Sequence, residues 1–231
     1  MEKSTKQRII FTAIFTILGL IALQIPFTNI VGSKTSFTLF DFFAPIAGGF
    51  LGGIIGVISV LIMQLANWLI YGAHLETVAL IRLFPILFAV WYFSPSAKSR
   101  YSIILPLLCI TLFIIHPIGQ QAFLFSFYWL IPIIMFFFKE KSILARSLGA
   151  TFTAHSIGSV VWLYAFNLPK EVWLGLIPQV ALERGVFALG IAVTYIVFVN
   201  LLDAVFKWSK LDLSFVRFNT KLLLRTYLVK K

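Results

Sequence analysis

Long apolar runs dominate the chain, at roughly 9–26, 37–70, 77–95, 101–116, 121–138, 142–166 and 172–206. Several approach or exceed the roughly 20 residues that a helix needs to cross a hydrocarbon layer. Strands of an outer-membrane barrel would instead alternate apolar and polar positions over about 10 residues. The pattern therefore predicts an all-α, polytopic transmembrane bundle of about six to eight spans.

The run 37–70 is too long for one span: as a single helix it would measure about 50 Å against a core of about 30 Å. Its middle holds Gly48, Gly49, Gly52 and Gly53, where a reversal could sit. Charge decides between one helix and two. With a turn near residues 49–53 and the N-terminus inside, the inner segments carry 15 Lys and Arg residues: Lys3, Lys6, Arg8, Lys98, Arg100, Lys139, Lys141, Arg146 and seven after residue 206. The outer loops then carry Lys34 and Lys170, and Arg82 and Arg184 fall within spans. One long helix would reverse every later loop and leave 13 Lys and Arg residues outside, Lys34 included, against the positive-inside tendency. Two helices and cytoplasmic termini follow. Pro178 and Glu183–Arg184 divide the run 172–206 into a bent entry over 172–182 and a last helix from about 184. Pro117 and Gly119 mark an outer hairpin tip. Residues 1–206 read as one membrane domain, and 207–231 as a basic amphipathic tail on the cytoplasmic surface, drawn to anionic lipid.

Composition agrees with the runs. Of 231 residues 60% are hydrophobic and 12% charged, where a soluble domain carries about a quarter charged; the mean hydropathy is +0.98. The net charge of +11 sits in loops and ends, as topology requires, so it does not point to nucleic acid. The lone Cys109 excludes internal disulfides and a multi-cysteine metal site.

Polar groups within the spans carry the functional signal, because charge in a bilayer is costly. This topology puts Asp41, Arg82, His74, Glu76, His116, Gln120, Gln121, His155, Glu183 and Arg184 in the outer half. Helical spacing sorts others into stripes: Gln64, Asn67, Trp68 and Tyr71; Thr151, His155, Ser159 and Trp162; and Gln121 with Tyr128, beside Trp129. The candidate substrate-binding set is Gln64, Asn67, Trp68, Arg82, Gln121, Tyr128, His155, Ser159, Trp162 and Glu183, polar groups in an apolar wall as a small-molecule cavity needs. Plainer roles compete. Trp68, Tyr71, Trp162 and Trp173 fit an interfacial aromatic belt, Thr151, His155 and Ser159 fit bonds between helices, and Arg82–Asp41 or Glu183–Arg184 fit structural ion pairs. Ala44, Gly48, Gly52 and Gly56 recur every four residues, which predicts close helix packing, and Thr12, Thr16 and Gly19 form a weaker stripe on the first helix.

The stretch Phe42-Phe43-Ala44-Pro45-Ile46-Ala47-Gly48-Gly49-Phe50-Leu51-Gly52-Gly53-Ile54-Ile55-Gly56 resembles the substrate-binding S components of energy-coupling factor (ECF) vitamin transporters. There a similar Ala-Pro-x-x-Gly, Gly-x-x-x-Gly passage joins the second and third helices. Ile177-Pro178-Gln179-Val180-Ala181-Leu182-Glu183-Arg184 is similar to the entry to that family's last helix. The resemblance implies six helices, a ligand cavity open to the outside, and a membrane coupling subunit with cytoplasmic ATPases as partners; the chain has no Walker motif of its own. The hairpin 101–138 would be an addition. Thr12-x-x-x-Thr16 stands where the family's first helix carries Ala-x-x-x-Ala for docking. No cofactor is expected. Two other functions compete, beside a purely structural role in a larger membrane complex that the glycine-rich helices would suit. A membrane enzyme could build a metal site from His74, His116 and His155 with Asp41 and Glu183, and an ion-coupled carrier would use Asp41 or Glu183.

Overall fold

The computed structural model describes residues 3–29, 36–71, 77–95, 100–209 and 220–224. It is mostly helical. Helix α1 (Lys3–Leu23) leads into an antiparallel pair, β1 (Pro26–Asn29) and β2 (Ser36–Thr38), followed by α2 (Phe40–Leu51) and α3 (Gly53–Ile70). Next come α4 (Thr77–Arg82), α5 (Pro85–Phe93), α6 (Tyr101–Ile115), α7 (Pro117–Gln121), a 3-10 segment (Phe123–Trp129) and α8 (Leu130–Phe136). The chain closes with α9 (Ile143–Phe166), α10 (Lys170–Gly175), α11 (Ile177–Ser209) and a 3-10 turn (Thr220–Leu222). Two helices, Gly53–Ile70 and Ile177–Val205, are long and apolar enough to cross a membrane; α2 and α6 have 12 and 15 residues.

The run 37–70 does divide, at Gly52. Nine residues of straight helix would separate Ala47 from Gly56 by about 13 Å. Instead a Cβ on Gly56 would lie 2.9 Å from the Ala47 carbonyl, so α3 folds back along α2. The reversal is made at φ +87°, ψ 174° by Gly52 alone, a region essentially closed to residues with a Cβ. Nothing lies within 4 Å of a Cβ placed there, so the constraint is conformational and not steric. Gly52→Ala is expected to cost about 1–3 kcal/mol, read as a lower melting temperature of the purified protein.

Two buried clusters hold the bundle. The larger draws on six helices: Phe15 from α1, Phe43 and Phe50 from α2, Met63 from α3, Val90 and Phe93 from α5, Ala150 from α9, and Ile191 and Tyr195 from α11. The second joins Cys109 and Phe113 of α6, Phe125 and Trp129 of the 3-10 segment, Phe152 and Leu163 of α9, Trp173 of α10 and Val180 of α11. The segment 101–138 thus forms its own hairpin against one side of α9, while α9 and α11 serve both clusters. Two glycines set the spacing: a Cβ on Gly48 would fall on the Val90 carbonyl of α5, and one on Gly149 would fall on the Tyr92 ring.

Three expectations are corrected. The run 77–95 is broken at Leu83–Phe84, where Pro85 has no N–H to give to the turn before it. The division expected near Glu183–Arg184 falls at Leu176 instead. Pro178 occupies the first turn of α11, where a missing N–H costs nothing, and the helix runs on for 33 residues, about 50 Å. It passes residue 206 and is described as far as Ser209. The β1–β2 pair was not foreseen; it registers Thr28 with Phe37 and Asn29 with Ser36. Most basic residues of the tail lie outside the described residues, but Asn200 of α11 donates to Leu222 O (3.1 Å) and accepts from Leu224 N (2.9 Å), docking the 3-10 turn.

At the end of the bundle that carries Gly52, the turn before α9 is tied down by buried cations. Lys139, 2% exposed, donates to Tyr92 O at the C-terminus of α5 (3.2 Å). Arg146 donates to Lys139 O (3.0 Å) and pairs with Glu140 at 3.0 Å. Burial pulls Lys139 down to about 8. The folded state therefore releases this proton before the unfolded chain does, so stability is expected to rise as pH climbs from about 8 towards about 10.5. Melting curves across that range check it, and Lys139→Met should flatten the rise.

Candidate polar site beneath the β-hairpin

At the opposite end, β2 is held over the helices by two polar side chains. Asp41, in the first turn of α2, accepts from Thr38 N at 2.9 Å. Arg82, the last residue of α4, donates to Ser36 O at 2.6 Å. Between these anchors Phe37 packs its edge on Phe187 of α11 (5.0 Å). Phe187 also meets Phe42 (5.2 Å) and Phe27 (6.0 Å).

Beneath this aromatic cover lies Arg184, 5% exposed. Its guanidinium carbon sits 4.9 Å from the Phe37 ring and 4.4 Å from the Phe187 ring, within cation–π range. One terminal nitrogen pairs with Glu183 at 3.0 Å and the other reaches Thr151 Oγ1 at 3.5 Å. Its Nε is buried with no hydrogen-bond partner among the described residues. Asp41 lies within electrostatic reach of both Arg82 and Arg184, although among the described residues it forms no direct ion pair with Arg82. The ion pair found here is Glu183–Arg184.

One turn along α9 from Thr151, His155 continues the same stripe. Its Nδ1 accepts from Trp129 Nε1 at 3.1 Å, which leaves the proton on Nε2, facing Ser159 Oγ at 3.4 Å. Phe125, Phe152 and Tyr128 surround the ring at 5.4, 6.0 and 6.5 Å. Tyr128 stacks on Phe152 and donates to Ile177 O at 2.7 Å, joining the 3-10 segment to the start of α11. Both His155 nitrogens are thus engaged. Among the described residues no group of three His, Cys, Asp or Glu could hold a metal ion; His74 and Glu76 lie outside the described residues.

The ten sequence candidates therefore fall into separate groups. Tyr128 and Ser159 flank His155, which holds Trp129; Glu183 of α11 stands beside Arg184, and Arg82 holds the β-hairpin. Gln64 lies elsewhere and donates to Leu83 O at 2.9 Å. That carbonyl is freed by the Pro85 break, since Leu87 N bonds Phe84 O instead. Asn67 accepts from Gln24 at 2.6 Å, joining α3 to the end of α1, and Trp68 shares that half-buried face. Gln121 is exposed and bonds Pro117 O of its own turn. Trp162 lies against Phe166 at 4.7 Å. The sequence stripes missed Phe37 and Ser36, for which no strand signal exists, and passed over Arg184 in favour of its neighbour.

Two surface hollows of the bundle are lined by none of these ten. One, of about 540 Å³, opens between α3, α5, α6 and α9, with Val57, Leu87, Trp91, Leu105 and Leu108 in its walls. The other, about 580 Å³, runs along α1 past Thr12 and Thr16. Gly19, in contrast, faces inward onto Met63 and Phe43. Ala44 is buried, and Gly48 and Gly56 mark close backbone approaches as their spacing predicts.

No family model, no curated protein and no solved structure matches the chain.

Proposed function

We propose that the chain is a multi-pass protein of the cytoplasmic membrane, the substrate-capture subunit of an ECF-type transporter. In this reading it takes a small vitamin-like molecule from the outer side, and partner subunits hydrolyse ATP. The Gly52 end faces the cytoplasm and the β-hairpin end faces out. Several features support the membrane assignment. The two longest apolar windows are only 28% and 33% buried within the protein, whereas the core helix of a soluble protein would be mostly buried. Large aliphatics such as Ile14, Ile17, Ile54, Ile62, Leu189 and Val193 stand exposed around the bundle, which water would penalise and lipid would not. The short helices α2 and α6, of 12 and 15 residues, call for local thinning of the bilayer or snorkelling flanks. A six-helix cluster with a separately packed hairpin 101–138 fits a six-span S component carrying an insertion.

The observation that carries the functional reading is Arg184. A guanidinium buried under a two-stranded cover, with Nε unpartnered, is a costly arrangement to keep without a ligand for it. An incoming oxygen acceptor would take Nε, and Phe37 would move with the hairpin to admit it. Glu183, Thr151 and the His155–Trp129 pair would fix its orientation.

The test is ligand-dependent stabilisation of the purified protein across a panel of vitamins and small carboxylated metabolites. One chemical class should raise the melting temperature saturably, and Arg184→Gln should remove that rise. A flat response across the panel would sink the reading.

A further inference from the structure

The 540 Å³ cavity shares no lining residue with the polar site: it meets α9 at Thr153, which faces away from Thr151 and His155. Helix α5 packs on α2, α3 and α9, and α6 packs on α8, α9 and the 3-10 segment, so the successive helices α5 and α6 leave a wedge between them. Its walls are apolar and aromatic: Val57, Leu87, Phe88, Trp91, Leu105 and Leu108. The hydroxyl of Thr153, one of the few polar groups in the lining, is committed to Gly149 O at 2.7 Å. The side of the wedge away from the bundle is open, with Ile104 and Leu108 each 50% exposed.

Size and charge select an occupant. At about 30 Å³ for each water-sized group the cavity holds about 18 such groups, the bulk of one long hydrocarbon chain. The wedge begins at Tyr101 and Ser102, the first residues of α6, next to the exposed Arg100. In the orientation proposed above, that mouth opens at the cytoplasmic leaflet, where anionic headgroups concentrate and basic residues attract them.

We propose that the wedge between α5 and α6 is a binding site for one acyl chain of an anionic phospholipid, with its headgroup held at Arg100. The proposal rests on the membrane part of the reading above and is independent of what the polar site binds. A lipid here fills the seam where the 101–138 hairpin leaves the six-helix body, and so supports that joint without protein contact.

The full chain, purified in mild detergent and washed, is extracted with organic solvent, and bound phospholipid is quantified by mass spectrometry. It is then reloaded from vesicles of phosphatidylglycerol or phosphatidylcholine. The expected result is about one retained anionic phospholipid per chain. Arg100→Gln should cut the preference for phosphatidylglycerol by about fivefold, and Leu105→Trp, which fills the wedge, should abolish retention with no loss of melting temperature. Leu108→Phe gives the same readout should Leu105→Trp prevent folding. Equal retention in the wild type and the filled variants, or no headgroup preference in the wild type, overturns the proposal. Recovery of the protein in the aqueous fraction would instead overturn the membrane assignment itself, so the two failures are distinguishable.

Discussion

Gly48→Leu is expected to prevent recovery of a folded, monodisperse protein. At this position the first atom of any side chain would fall on the Val90 carbonyl, which is backbone and has no rotamer to adopt. Helix α2 would have to lift from α5, opening the layer that contains Phe43, Phe50, Val90 and Phe93, all at most 4% exposed. Ordinary overpacking costs about 1–3 kcal/mol, and here the cost of parting two helices adds to it. Size-exclusion profile and melting temperature measure the effect. Gly185→Ala is the control: it lies in α11 with nothing within 4 Å of the added carbon, so it should be neutral or slightly stabilising. A normally folded Gly48→Leu protein would show that the α2–α5 contact is looser than this geometry.

The second large effect is expected from Glu183→Ala. The mutation leaves the Arg184 guanidinium buried with two aromatic faces and a 3.5 Å contact to Thr151, but without its ion-pair partner. Breaking a buried pair from one side costs about 3–5 kcal/mol, far more than removing both charges. At about 2–4 °C per kcal/mol for a chain of this size, the melting temperature should fall by about 10 °C. The double variant Glu183→Ala, Arg184→Leu should recover much of that loss. If the single and double variants melt alike, the pair is not acting as a buried ion pair.

How much of this could be read from the chain depends on which physical signal each feature leaves. The reversal at Gly52 was legible because two independent signals agreed: a glycine-rich middle and a distribution of Lys and Arg that only two helices satisfy. Helix α9 and the hairpin tip near Pro117 were legible as an apolar run and a Pro–Gly break. Proline proved ambiguous, because its effect depends on its place in the helix. Pro85 and Pro178 each stand in the first turn of a helix, α5 and α11, just after another has ended, whereas Pro45 and Pro106 lie inside α2 and α6 and end neither. The β-pair left no signal, since seven strand residues are too few for an alternating pattern to register.

At the site, periodicity put Thr151, His155 and Ser159 on one face of α9, and that face is what Arg184 and Trp129 meet. Periodicity cannot say what lies across from a face. Gln64 was placed among the candidates for its amide, but its partner is a carbonyl liberated by a proline 21 residues later. Gln121 lies seven residues before Tyr128, yet the intervening 3-10 turns rotate it away from that side chain.

The way α9 and α11 serve both clusters has a consequence for biosynthesis. Helices α1 to α5 are complete by residue 93, but the groups that seal their common core, Ala150, Ile191 and Tyr195, are made much later. About 100 residues separate Phe93 from Tyr195, so at roughly 5–20 residues per second the first five helices wait on the order of 5–20 s for closure. During that interval the faces around Gly49 and Tyr92 lack part of their lining, and the nascent chain is exposed to mispairing. Truncation after α8 should therefore leave a proteolysis-sensitive, unclosed intermediate, and one that ends beyond residue 205 should be the first to resist digestion.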